Sequence, residues 1–152
     1  MRSWRLMMDN LPEILKYGQQ GFFCSQVLLL MGLDLQGKSN PELVRSMQAL
    51  AGGIGFSGHN CGALTGGACL LGYYAGRDAG NDEDDDRLSL MLIDLVDWFT
   101  REIGGKYGGI DCDNILSGRK EEYAVRCPVI VQAVFQKCKE LLVDYGFDLY
   151  GN

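Results

Sequence analysis

The sequence contains no C-x-x-C pair, one histidine, three prolines and no long apolar run. Without close cysteine pairs, thioredoxin-like, zinc-ribbon and ferredoxin readings lose the spacing they rely on. One histidine excludes zinc sites that need several, and a catalytic triad would have only His59 to draw on. The longest nearly apolar stretch, Val27 to Leu33, falls far short of the roughly 20 residues that span a bilayer. Basic residues are outnumbered, 14 Lys and Arg against 20 Asp and Glu. The resulting net charge of −6, with no basic patch, argues against nucleic acid as a partner. The N-terminus carries positive charge with no hydrophobic stretch behind it, unlike a secretory signal. The expectation is a cytoplasmic chain without a membrane partner. No phosphate loop, H-E-x-x-H or nucleophile elbow is present.

What is present is a globular composition, 47% hydrophobic and 22% charged, over 152 residues. That length suits a single domain, residues 1–152, with a real core. Apolar residues recur at three to four positions rather than two, which predicts an all-α fold. The expected form is a compact bundle of about five to six helices with glycine-rich connections. Leu11 to Tyr17 reads as a short helix with Pro12 in its first turn, and Ser25 to Met31 as a second that Gly32 ends. Asn40-Pro41-Glu42 supplies cap, pre-set first residue and acidic first turn for a third, which stops at Gly52-Gly53. Gly62 to Tyr74 is a helix rich in small residues. Interior glycines cost about 0.5–1 kcal/mol each, so Gly62, Gly66 and Gly67 imply close approach of another backbone or of a cofactor. The acidic loop Asn81 to Asp86 caps the longest helix, whose stripe runs from Leu88 to Ile103, before Gly104 to Gly109 break the chain. Asp111 to Leu116 reads as a turn or one helical turn. The last helix spans about Pro128 to Tyr145, with a polar lead-in at Arg119 to Tyr123 that is itself a helix candidate.

The cysteines sort by helix position. Cys24, Cys61, Cys112 and Cys127 each precede a predicted helix, where free N–H groups and the dipole favour a thiolate. Cys127 reads most clearly as a cap, because Pro128 prefers the first helical position. The four are separated by 36, 50 and 14 residues, so they meet only through tertiary structure. Cys138 lies about 16 Å along a helix from Cys127 and continues an apolar stripe; Cys69 lies about 12 Å from Cys61 among Ala68, Leu70 and Leu71. Both read as packing. His59 is placed to tune Cys61 or to replace a cysteine ligand, against the plainer reading of a solvent-facing loop residue. Gly53 to Gly58 matches G-x-G-x-x-G, but a helix precedes it and no strand follows, so it reads as a flexible loop delivering Cys61 rather than a dinucleotide site.

Taken together, Cys24, the run Gly52 to Gly67 around Cys61, Cys112 and Cys127-Pro128 resemble the C_GCAxxG_C_C family of redox-active proteins. The resemblance covers about residues 11 to 145, and its specific part is Gly52 to Gly76. The family's four cysteines fall on Cys24, Cys61, Cys112 and Cys127, while Cys69 and Cys138 have no place in it. The family's Gly-Cys-Ala order appears here as Asn60-Cys61-Gly62-Ala63. The resemblance implies a helical domain of redox or iron–sulfur character, similar to one in split-Soret cytochromes. Covalent haem is not expected, because no C-x-x-C-H is present.

Three functions compete. The first is electron transfer by an iron–sulfur cluster on Cys24, Cys61, Cys112 and Cys127, with Gly62, Gly66 and His59 beside it, as a component of an oxidoreductase system with a redox partner protein. The second is a cluster-free thiol oxidoreductase or redox sensor, with Cys61 as the reactive thiol, its pKa lowered by His59 and the helix start. The third is a structural zinc module on the same four cysteines. The apolar content, Trp98 and Phe99 included, is compatible with a homodimer.

Overall fold

The computed structural model describes residues 9–80 and 82–151. The N-terminal stretch read above against a secretory signal, and Asn81 at the start of the acidic loop, lie outside the described residues. Helices follow in the order α1 (Leu11–Gln19), α2 (Cys24–Gln36), α3 (Pro41–Met47), α4 (Gly62–Ala75), α5 (Asp86–Phe99), α6 (Gly105–Tyr107), α7 (Cys112–Leu116) and α8 (Tyr123–Asp144). No strand occurs among the described residues, and none of their helices is long and apolar enough to cross a membrane.

The starts of α3 and α5 follow their sequences closely. Asn40 Oδ1 accepts a hydrogen bond from the Leu43 N–H (3.2 Å), and Asp85 Oδ1 accepts one from the Arg87 N–H (3.0 Å). Each thereby satisfies a donor that the first turn leaves free. The acidic loop therefore caps α5, and Asp84 also pairs with Arg77 at 3.1 Å.

Helix α4 is the centre of the bundle, packed against α2, α5 and α8. Its glycines make this possible. A Cβ on Gly66 would stand 2.9 Å from Ser25 Cα and 3.1 Å from Ser25 O, so the α2 backbone fills that space. A Cβ on Gly67 would meet Val134 Cγ1 at 2.6 Å and Cys138 Sγ at 3.3 Å, on α8. The loss of roughly 0.5–1 kcal/mol per glycine is smaller than the ~1.5–3 kcal/mol gained by burying each of Leu64, Leu70 and Leu71 on the same helix. Around them Met91, Leu95, Phe99, Val134 and Phe135 complete the main core. A smaller cluster of Leu29, Leu33, Val44 and Met47 ties α3 to α2.

Several boundaries depart from expectation. Helix α2 runs through Gly32 to Gln36, because Gly32 is a contact rather than a stop: a Cβ there would meet Leu70 Cδ1 at 2.2 Å. Helix α5 passes through a π-helical turn, Thr100–Gly104, into α6, and the chain turns only at Gly108 (φ +81°). α8 begins at Tyr123, not Pro128. Arg126 anchors that extra turn through an ion pair with Glu122 (3.3 Å) and a hydrogen bond to the Ile115 carbonyl. Phe99 is fully buried in the core, so it cannot contribute to a dimer face.

Candidate functional site

Three separate contacts gather four distant cysteines at one end of α4. The first is a short antiparallel clamp. The Cys61 N–H donates to the Ile110 carbonyl (3.1 Å), the Cys112 N–H to the His59 carbonyl (2.7 Å) and the Asp113 N–H to the Gly58 carbonyl (3.2 Å). The pairing, centred on a bridge between Asn60 and Asp111, sets Cys61 and Cys112 side by side. The second is the start of α2 against the start of α4: a Cβ on Gly62 would stand 2.7 Å from Cys24 Sγ. The third is a small cavity of about 70 Å³ that Cys24 and Cys127 line together with Tyr123 and Pro128.

The electrostatics report the same grouping. Every pair among Cys24, Cys61, Cys112 and Cys127 is close enough for charge on one sulfur to push up the pKa of another. Cys69 and Cys138 take part in none of these interactions. Burial is the largest cause at all four. It holds Cys24 up at about 12 and raises Cys61, Cys112 and Cys127 as well.

The expectation that each of the four sits at a helix start holds for three. Cys24 and Cys112 are the first residues of α2 and α7, and Cys61 is the residue before α4. Cys127 is the fifth residue of α8, inside the helix. Pro128 therefore sits in the helix interior, where it leaves the Ala124 carbonyl without its usual N–H partner. Backbone N–H groups do lower the pKa of two thiols, Ser25 and Gly52 acting on Cys24, Ala63 and Leu64 acting on Cys61. At both, desolvation outweighs them. The lowered pKa expected for Cys61 is thus replaced by a raised one, and His59, exposed on the loop, is not among its influences. His59 takes part through its backbone, in the clamp. Gly62 touches the thiol group; Gly66 faces α2 instead.

Cys138 is packing, as expected: it is fully buried, its thiol directed at the Gly67 carbonyl (3.6 Å). Cys69 is not. It lies on the exposed side of α4, one turn after Thr65 and one before Tyr73. The apolar neighbours that suggested a core position, Leu70 and Leu71, point the other way round the helix.

Two features escaped the sequence. Tyr123 stands among the thiols, its phenol pushed up by burial and then by Cys24, Cys127 and Cys112. Its spacing of four from Cys127 on one helix face was the available signal. The second is the loop that delivers Cys61. Gly52, Gly53, Ile54, Gly55 and Phe56 all have positive φ, between +60° and +75°. The turn is internally bonded rather than flexible: the Gly55 N–H donates to the Ala49 carbonyl, Phe56 to Ala51 and Gly58 to Gly52. Left-handed backbone costs about 1–2 kcal/mol at each non-glycine residue, here Ile54 and Phe56.

Among the described residues, no group of three or more His, Cys, Asp or Glu side chains is disposed as a ready seat for a single metal ion. The four thiols nevertheless stand in one group, two of them facing backbone N–H donors.

A family model described as "Putative redox-active protein (C_GCAxxG_C_C)" matches residues 22–141. No curated protein and no solved structure matches the chain.

Proposed function

The chain belongs to the C_GCAxxG_C_C family of redox-active proteins, and on that premise we propose that it holds an iron–sulfur cluster on Cys24, Cys61, Cys112 and Cys127 and passes electrons to a redox partner. The observation that carries the proposal is the selection among six cysteines. Four from separate parts of the chain interact pairwise, and the two without family positions are left out. A bound cluster would supply reversible one-electron chemistry. The protein's part is to bury the sulfurs and to aim the N–H groups of Ser25, Gly52, Ala63 and Leu64 at two of them, which steadies the negative charge of the assembly.

Two observations favour this over the other readings. All six thiols have raised pKa values, which starves a cluster-free thiol mechanism of thiolate at neutral pH. A zinc ion needs four sulfurs at about 2.3 Å from one centre, and no group of three or more His, Cys, Asp or Glu side chains among the described residues is disposed to hold a single ion; a cluster takes its thiolates on separate irons and suits a wider set. Protein purified without oxygen should be brown, with a broad visible absorption that bleaches on adding dithionite. A colourless preparation from cells with adequate cluster assembly contradicts the proposal.

A further inference from the structure

Beside the thiol group lies a second cavity, of about 520 Å³, open to solvent. Phe23, Phe56, Leu116 and Tyr123 form its apolar walls, Cys112 contributes to its lining, and the cations Arg119 and Lys120 outnumber the one carboxylate there, Asp113. Three features bear on what it binds. Its volume is that of a small-molecule site. Phe23 and Phe56 meet edge to face, with centroids 5.3 Å apart, yet Phe56 stays 63% exposed and is held there in left-handed backbone at φ +61°. An exposed aromatic kept in a costly conformation is the kind of strain that persists where a site needs it. Finally, Arg119 and Lys120 are exposed cations with no ion pair among the described residues, and they bring two positive charges to one cavity in a chain of net charge −6.

We propose that this cavity binds a planar aromatic molecule bearing an anionic group, with its ring between Phe56 and Tyr123, its charge toward Arg119 and Lys120, and its edge against Cys112. This deepens the reading above, because it places a small redox-capable ligand at the one wall, Tyr123, that lines both this cavity and the one shared by Cys24 and Cys127.

The test uses the full chain, reduced and metal-free, titrated with anthraquinone-2-sulfonate. Saturable binding is expected. The bound probe should slow alkylation of Cys112 by iodoacetamide and leave that of Cys69 unchanged, since Cys69 is exposed elsewhere on α4. The double variant Arg119→Glu/Lys120→Glu should bind the sulfonate about tenfold more weakly and the neutral analogue 2-(hydroxymethyl)anthraquinone equally well. Phe56→Gly, which suits the left-handed backbone, should keep the helical circular dichroism and weaken both probes at least tenfold. No saturable binding, or binding that leaves Cys112 alkylation unchanged, overturns the proposal. So does equal affinity in the charge-reversed variant. Because no metal is present, a protein that binds the probe yet never holds iron refutes the cluster alone, and one that holds iron yet ignores the probe refutes the cavity alone.

Discussion

Gly66→Ala and Gly72→Ala should shift stability in opposite directions, although both replace a glycine in the same helix. Alanine gains about 0.5–1 kcal/mol over glycine in a helix interior. At Gly72 nothing lies within 4 Å of the added Cβ, so that gain stands alone. For a domain of this size it raises the melting temperature by roughly 1–4 °C. At Gly66 the added carbon would sit 2.9 Å from Ser25 Cα and 3.1 Å from its carbonyl oxygen, both backbone atoms of α2 that no rotamer change can move. Overpacking of this kind costs about 1–3 kcal/mol. After the propensity gain the variant loses about 0–2.5 kcal/mol, or roughly 0–10 °C. The displaced backbone adjoins Cys24, so the variant should also retain less iron than Gly72→Ala. Thermal unfolding followed by circular dichroism reads the first effect, and iron per chain the second. A Gly66→Ala variant more stable than wild type, or a Gly72→Ala variant no more stable than Gly66→Ala, refutes the claim that α4 is glycine-rich because α2 lies against it.

Ile54→Gly should stabilise the protein by about 1 kcal/mol, since a β-branched residue at φ +66° is strained and its side chain is 54% exposed; urea midpoints measure it. The metal-free protein should lose stability as pH rises from about 9 toward 12. Cys24 and Cys138 hold their protons to about 12 when folded but release them near 9 when unfolded, so the folded state binds more protons in that window and is disfavoured as protons become scarce. Urea midpoints should be flat below pH 8 and fall above 9; a rise across that range refutes the buried-thiol assignment. Cys138→Ser should unfold more readily, because a more polar group enters a fully buried position, while its iron content per folded chain stays at the wild-type value.

The helices were legible because local signals wrote most of them: the Asn40 and Asp85 caps, the stripe of Met91, Leu95 and Phe99, and the small-residue run of α4. The misreadings arose where a local signal has two physical meanings. Gly32 reads as a helix stop until Leu70 is known to need its space. Pro128 reads as a first helical residue until Arg126 is seen tying the preceding turn to Ile115 and Glu122. Cys69 sits among apolar letters, but its side of the helix is fixed by which neighbours pack, and α2, α5 and α8 all approach from elsewhere. The grouping of the four cysteines followed from the family pattern, whereas the means of assembly did not. The clamp between residues 58–61 and 110–113 runs through backbone groups, which carry no side-chain signature. The left-handed turn is likewise hidden, because glycines announce a turn without giving its hand.

The central claim is that Cys24, Cys61, Cys112 and Cys127 act as one ligand set. Its most direct measurement is iron and acid-labile sulfide per chain in oxygen-free protein, in wild type and in single serine variants of all six cysteines. The account predicts iron and sulfide in wild type, their loss from the variants at 24, 61, 112 and 127, and their retention in Cys69→Ser and Cys138→Ser. Iron that survives substitution at any two of the four, or that disappears with Cys69, contradicts it.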